Sequence, residues 1–263
     1  MQLKHPLVRV IIACMLGFLA WTAVSCSTTT QPTEGKEITY HLTWNSDGVD
    51  QTNDGWFIEN NLGYSITLKT GYLTTAAIQL VPCEEENAAQ IDWFAWLAPK
   101  TVFAGHGDSS SNPSRWIGPF IESLSTPELS TLGTITLEEV TNYCRGHYLV
   151  AQATDSAMNL PTDVDMSRST IFLQGEYIPP GGNEAVPFTI ETLLAWGALD
   201  ELSANEMAQI ALPDQPSNII VERQLSSIFD DLDFLNMETS EWEMAVLRSI
   251  SNHTQISLQT TNP

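Results

Sequence analysis

Four histidines downstream of the N-terminal region, His41, His106, His147 and His253, are the side chains here best suited to hold a transition-metal ion. Imidazole is the commonest such ligand, and exported copper and zinc sites use it in the neutral form. His41 lies on the polar side of an alternating segment. His106 stands between two glycines after an apolar run. His147 opens an apolar segment three residues after Cys144. Strand ends cluster their loops in a sandwich, so residues far apart in sequence meet there. The expectation is that two or more of His41, His106 and His147 share a copper or zinc ion. The alternative is a set of unrelated surface or hydrogen-bonded histidines.

Two further segments carry partial motifs. Asp50-Gln51-Thr52-Asn53-Asp54-Gly55 begins like an EF-hand loop, but Asn61 falls where the bidentate carboxylate belongs. A polar hairpin turn is the simpler reading. Gly107-Asp108-Ser109 resembles the start of a GDSL-type hydrolase block, yet Ile250 stands three before His253, where that chemistry needs an Asp. There is no His-Glu-x-x-His, Gly-x-Ser-x-Gly or phosphate-binding glycine loop. No catalytic residue is assigned, and the expectation is a protein that is not an enzyme.

Charge narrows the partners. The chain of 263 residues has 10 Lys+Arg against 32 Asp+Glu, a formal net charge of −22. That argues against nucleic acid, whose phosphates are bound through basic side chains. It also argues against docking on anionic lipid through a polybasic patch. A membrane link of another kind is written at the N-terminus. Lys4 and Arg9 precede the mainly apolar residues 10–24, which end in Ala23-Val24-Ser25-Cys26. Fifteen residues are short for a membrane span and fit an export signal. Small residues before a Cys resemble the bacterial lipobox, which implies cleavage before Cys26 and lipidation of its thiol. Ser27, not Asp, follows, which in a Gram-negative cell implies the outer membrane. An ordinary secretory signal is the alternative.

Of the four cysteines, Cys14 leaves with the signal and Cys26 takes the lipid. Cys83 and Cys144, 61 residues apart, remain for a disulfide in an oxidising compartment. Its chain-entropy contribution is about 4 kcal/mol. The competing use is a Cys144-x-x-His147 metal half-site.

The elements that must position these residues read mainly as strands. Residues 36–45 alternate, with Ile38, Tyr40, Leu42 and Trp44 on one side. Further strands are expected at 64–69, 77–83, 147–153, 169–177 and 185–192, the last two as a hairpin. Trp93 to Leu97 forms an apolar knot, and Val102 to Ala104 a short strand. Ile219, Val221, Arg223 and Leu225 sit in another strand, NIIVERQL. Residues 226–237 fit a short helix with Ile228, Leu232 and Leu235 near one face. Ser240 with Glu243 forms a capping box that opens a second helix. The expected organisation is a signal at 1–25, a polar tether at 26–36, an antiparallel, immunoglobulin-like β-sandwich at 37–225, and a helical segment at 226–263 packed on it.

The segment Ile219 to Phe234 (IIVERQLSSIFDDLDF), together with Leu62-Gly63-Tyr64 and the cysteine pair, resembles the MbnP-like family of exported copper-binding proteins. The resemblance spans about the last fifth of the chain plus isolated positions. It implies a β-rich lipoprotein in which imidazoles bind copper. The family's Met-x-Trp-x-Trp segment and its extra cysteines have no counterpart here, so no ligand is carried over. The reading is a lipid-anchored periplasmic or surface β-domain that binds a ligand, with copper or zinc preferred. The alternative is a structural or adhesive lipoprotein that binds an envelope protein or glycan.

Overall fold

The computed structural model describes residues 36–83, 113–137, 143–203 and 217–260. The expected signal, the expected tether up to residue 35, Trp93 to Leu97, Val102 to Ala104, His106 and the Gly107-Asp108-Ser109 motif lie outside them, and Lys36, placed in the tether by the sequence reading, opens the first strand. The described chain is mainly β, with twelve strands, one α-helix and a single 3-10 turn. None of its helices is long and apolar enough to cross a membrane.

Two parts of the sheet system face each other across one core. The first is built on β1 (Lys36–Asn45), whose strict alternation buries Ile38, Tyr40, Leu42 and Trp44. β1 pairs antiparallel with β6 (Ser130–Leu137) and parallel with β11 (Ser217–Gln224). β11 in turn pairs antiparallel with β12 (Thr254–Thr260). The second part is built on β4 (Ser65–Pro82), an 18-residue strand. It pairs with β3 (Gly55–Glu59), β5 (Trp116–Ser123), β7 (Tyr143–Val150) and β8 (Ile171–Ile178). β2 (Asp50–Thr52) extends β3, and β9 (Val186–Thr192) extends β8 in the expected hairpin. β10 (Trp196–Ser203) lies along β7 and joins the first part only at its end, through Leu202 and Ser203 opposite Ile256 and Ser257 of β12.

This is a sandwich-like β fold, but it departs from the sequence reading in four places. It is not wholly antiparallel, because β1–β11 and β10–β12 run parallel. The strands expected at 64–69 and 77–83 are one strand. Bulges at Leu68/Thr70 and Thr75/Ala77 break the alternation without ending the strand. The C-terminal segment holds the expected second helix, but it does not end there, since β12 follows and lies inside the sheet between β10 and β11. The helix expected at 226–237 is a 3-10 turn at Leu225–Ser227 followed by irregular turns.

That last difference has a local cause. Asp231 adopts φ 62°, outside the right-handed helical region. The Asp233 carboxylate accepts from the backbone N–H groups of Leu235 and Asn236, the local bonding by which Asp competes with a helix. Buried Asn60 then fixes the segment from outside. Its Nδ2 donates to the carbonyls of Phe229 and Leu232, each at 3.0 Å. Its Oδ1 accepts from the N–H groups of Leu62 and Tyr64. The α-helix, α1 (Thr239–Asn252), starts slightly earlier than expected. Glu241 Oε2, not Glu243, accepts from the N–H of Glu238 at 2.8 Å. α1 buries Ala245, Val246, Leu247 and Ile250 against the core.

Because 226–237 is turned and not helical, Phe234 points in and Leu235 points out. Phe234 stacks on Tyr177 with ring centroids 4.1 Å apart and also meets Tyr64, Phe188 and Trp242. Leu235 is 63% exposed. Phe234→Ala is expected to cost about 3–5 kcal/mol in denaturant unfolding. Leu235→Ala is expected to cost less than about 0.5 kcal/mol. The reverse order would restore the helical reading.

Candidate functional site

A charged residue sits at the centre of the core. Arg223 falls on the same side of β11 as Ile219 and Val221 and is fully buried. A guanidinium there needs a carboxylate, or burying it costs several kcal/mol. Glu122 of β5 supplies one, with Arg223 Nη1 donating to Oε2 at 2.7 Å. Arg223 Nη2 donates to Thr75 Oγ1 at 3.0 Å, and Thr75 Oγ1 donates to Glu122 Oε1 at 2.6 Å. Trp44 Nε1 donates to Glu122 Oε2 at 3.0 Å. The guanidinium also lies 5.8 Å from the Trp44 ring centroid and 5.4 Å from that of Tyr148. Both distances suit cation–π attraction.

Five strands meet at this cluster: β1 through Trp44, β4 through Thr75, β5 through Glu122, β7 through Tyr148 and β11 through Arg223. Trp44 and Arg223 are register partners in the parallel β1–β11 pair. Thr75 sits where β4 bulges against β5 and β7. Near its C-terminal end β5 is buried on both faces, because Glu122 points to the main core while Ile121 packs in a smaller cluster with Ala153, Ala157 and Met166. The segment that covers β5 is tied on by Ile121 N–H donating to Met158 O and by Asn159 Nδ2 donating to Ile121 O. Burial pushes the Glu122 carboxyl above its usual range, with Arg223, Thr75 and Trp44 opposing that shift.

Glu122 is not sealed off. It lines a cavity of about 220 Å³ with Leu42, Trp44, Leu129 and Asn159, and with Glu128 exposed beside them. A second, broader depression of about 430 Å³ runs along residues 155–167. Two of its three carboxylates are engaged within the chain: Asp163 accepts from Tyr72 Oη, and Asp165 from the N–H and hydroxyl of Ser167.

The predicted histidine ligands fall on separate strands. His41 on β1 has both ring nitrogens engaged. Nε2 lies 3.2 Å from Asn218 Oδ1, and Nδ1 lies 3.1 Å from Thr131 Oγ1. His147 on β7 is half-buried and stands opposite Gln79 of β4 and Leu199 of β10. In strand order β10, β12 and β11 separate β7 from β1. His253 follows α1, with Nδ1 2.9 Å from the Ser249 carbonyl. His106 lies outside the described residues. Among the described residues no group of three or more His, Cys, Asp or Glu side chains is placed to hold a metal ion. The 50–55 loop forms the β2–β3 hairpin, where Thr52 Oγ1 donates to the Gly55 carbonyl. Gly55 is required there: φ is +134°, and a Cβ would stand 2.1 Å from the Leu68 carbonyl oxygen. Cys83 and Cys144 form the expected disulfide, Cα atoms 4.9 Å apart, between the end of β4 and the start of β7.

Comparison with protein families, curated proteins and solved structures finds no match to this chain.

Two outcomes follow from these environments. Glu122→Ala strands a buried guanidinium and is expected to cost about 3–5 kcal/mol, measured by denaturant unfolding. The pKa of His147 is lowered, first by burial and then by the charge of Arg115. Its folded state therefore binds protons less readily than its unfolded state. The stability it contributes is present above about pH 6.5 and is lost as pH falls through the folded value. His147→Gln is expected to flatten the decline in melting temperature below pH 6.5. An unchanged profile would show that His147 does not contribute.

Proposed function

We propose that this protein is a lipid-anchored domain of the bacterial cell envelope that binds a ligand without transforming it. The observation that carries the reading is the Cys83–Cys144 disulfide, which belongs to an oxidising compartment. It agrees with the export signal that ends at Cys26. The cavity beside Glu122 supports binding as the activity, because it is a recess in which the apolar Leu42, Trp44 and Leu129 stand among polar groups that can orient a ligand. The acidic chain favours a cationic ligand over an anionic one. A histidine-held copper or zinc ion draws less support, since both ring nitrogens of His41 are engaged and one hydrogen bond would have to be given up for it to act as a ligand.

Anchoring is tested by expression in a bacterium with labelled palmitate. The wild-type chain is expected to take the label and partition into detergent, and Cys26→Ser to lose both properties. Identical labelling and partitioning of the two would contradict the anchor. Metal content provides a second check. The protein is expected to bind less than one equivalent of copper or zinc after dialysis. Stoichiometric metal that is lost in His41→Ala would instead establish the histidine site.

A further inference from the structure

We propose that the cavity beside Glu122 receives the ammonium end of a short alkyl chain. This deepens the binding reading and rests on it. The first argument is an acceptor left over. An ionised carboxylate offers about four lone-pair sites. Thr75, Trp44 and Arg223 use three of them, two on Oε2 and one on Oε1. The remaining site is on a side chain that is only 4% exposed yet lines the cavity. It accepts only, so the group that fills it must be a donor. An ammonium is a donor with no acceptor of its own.

The second argument is the shape and character of the walls. Ser123, Thr126, Ser130 and Asn159 make much of the wall polar, and its apolar part is Leu42 and Trp44, which are buried, with Leu129, which is 57% exposed. That apolar part suits a methylene stem, as in the stem of a lysine side chain. The volume of about 220 Å³ equals about seven waters in the liquid, enough for an amine of five carbons. The third argument is charge. Arg223 neutralises Glu122 from within the core, and Glu128 at the mouth leaves the site with one excess negative charge. The net charge of −22 draws cations toward that mouth.

A free alkylamine and the side chain of a lysine on another protein both carry this chemistry. The test uses the full-length protein in mild detergent, with its tryptophans labelled on the indole nitrogen. Trp44 Nε1–H, bonded to Glu122, is the reporter, assigned through Trp44→Phe. Pentylammonium is expected to shift it saturably. 1-Pentanol should bind about tenfold more weakly, having lost the charge on its hydrogen bond. Pentanoate should leave the signal unmoved. Glu128→Gln is expected to weaken pentylammonium about fivefold, and Leu129→Trp to abolish the saturable shift. Nα-Acetyl-lysine methylamide separates the sources: binding as tight as pentylammonium supports a lysine side chain, and much weaker binding supports a free amine. If pentanol binds as tightly as pentylammonium and Glu128→Gln changes nothing, the ammonium assignment falls while the binding reading stands. If no probe shifts the reporter, the cavity is not a ligand site and both fall.

Discussion

The ion pair between Arg223 and Glu122 is the constraint on which the two halves of this fold depend. A guanidinium without solvent exposure is tolerable only if its charge is met and its protons are directed. Meeting that demand at Nη1 and Nη2, with Nε left unpartnered, takes side chains from β4 and β5 on one side and from β1 and β11 on the other. The polar cluster therefore ties the two parts of the sheet system at their centre, whereas β10 joins them at an edge through only two register pairs. Apolar packing around it is permissive about register. The hydrogen bonds of Glu122 and Thr75 are not, so the cluster selects one alignment of the facing strands.

The same cluster connects the core to the surface. Glu122 accepts from three donors in the interior and still borders a cavity, so the carboxylate that meets the buried guanidinium also lines the candidate site. The segment that covers β5 makes this possible. It buries Ile121 on the outer face of the strand and brings Asn159 to the cavity wall. On the other flank, Asn60 holds the 229–232 backbone in turns, which sends Phe234 into the aromatic cluster beneath α1. In both places one side-chain amide fixes an irregular segment, and the segment closes an open face of the sandwich.

Much of this architecture was legible in the residues. The alternation of 36–45 marks β1 to the residue, and 169–177 with 185–192 marks the β8–β9 hairpin. The disulfide followed from counting cysteines in a chain expected to be exported. What misled was local pattern without tertiary context. The bulges in β4 shift its alternation and look like a strand break. Ile228, Leu232 and Leu235 mimic a helical stripe, but Asp233 and Asn60 impose turns there. β12 carries its own alternation, Ile256 and Leu258, which the reading of a helical tail absorbed. The site was half visible. Arg223 stands in phase with Ile219 and Val221, so its burial could be read from the strand. Its partner is 101 residues away and is one of 32 acids, so no spacing identifies it. The histidines drew attention by residue type, while the hydrogen-bond partners of His41, Asn218 and Thr131, come from neighbouring strands.

A double-mutant cycle on Glu122 and Arg223 tests the central claim most directly. Glu122→Gln, Arg223→Met and the combined variant would be unfolded in urea beside the wild type. If the pair is the tie between the halves, each single change costs about 3 kcal/mol or more by leaving its partner charged and buried. The double change then costs far less than the sum of the two, which is a coupling energy of about 2–3 kcal/mol. Additive losses, with coupling below about 0.5 kcal/mol, would mean that the two residues act independently and that the account of the fold built on them is wrong.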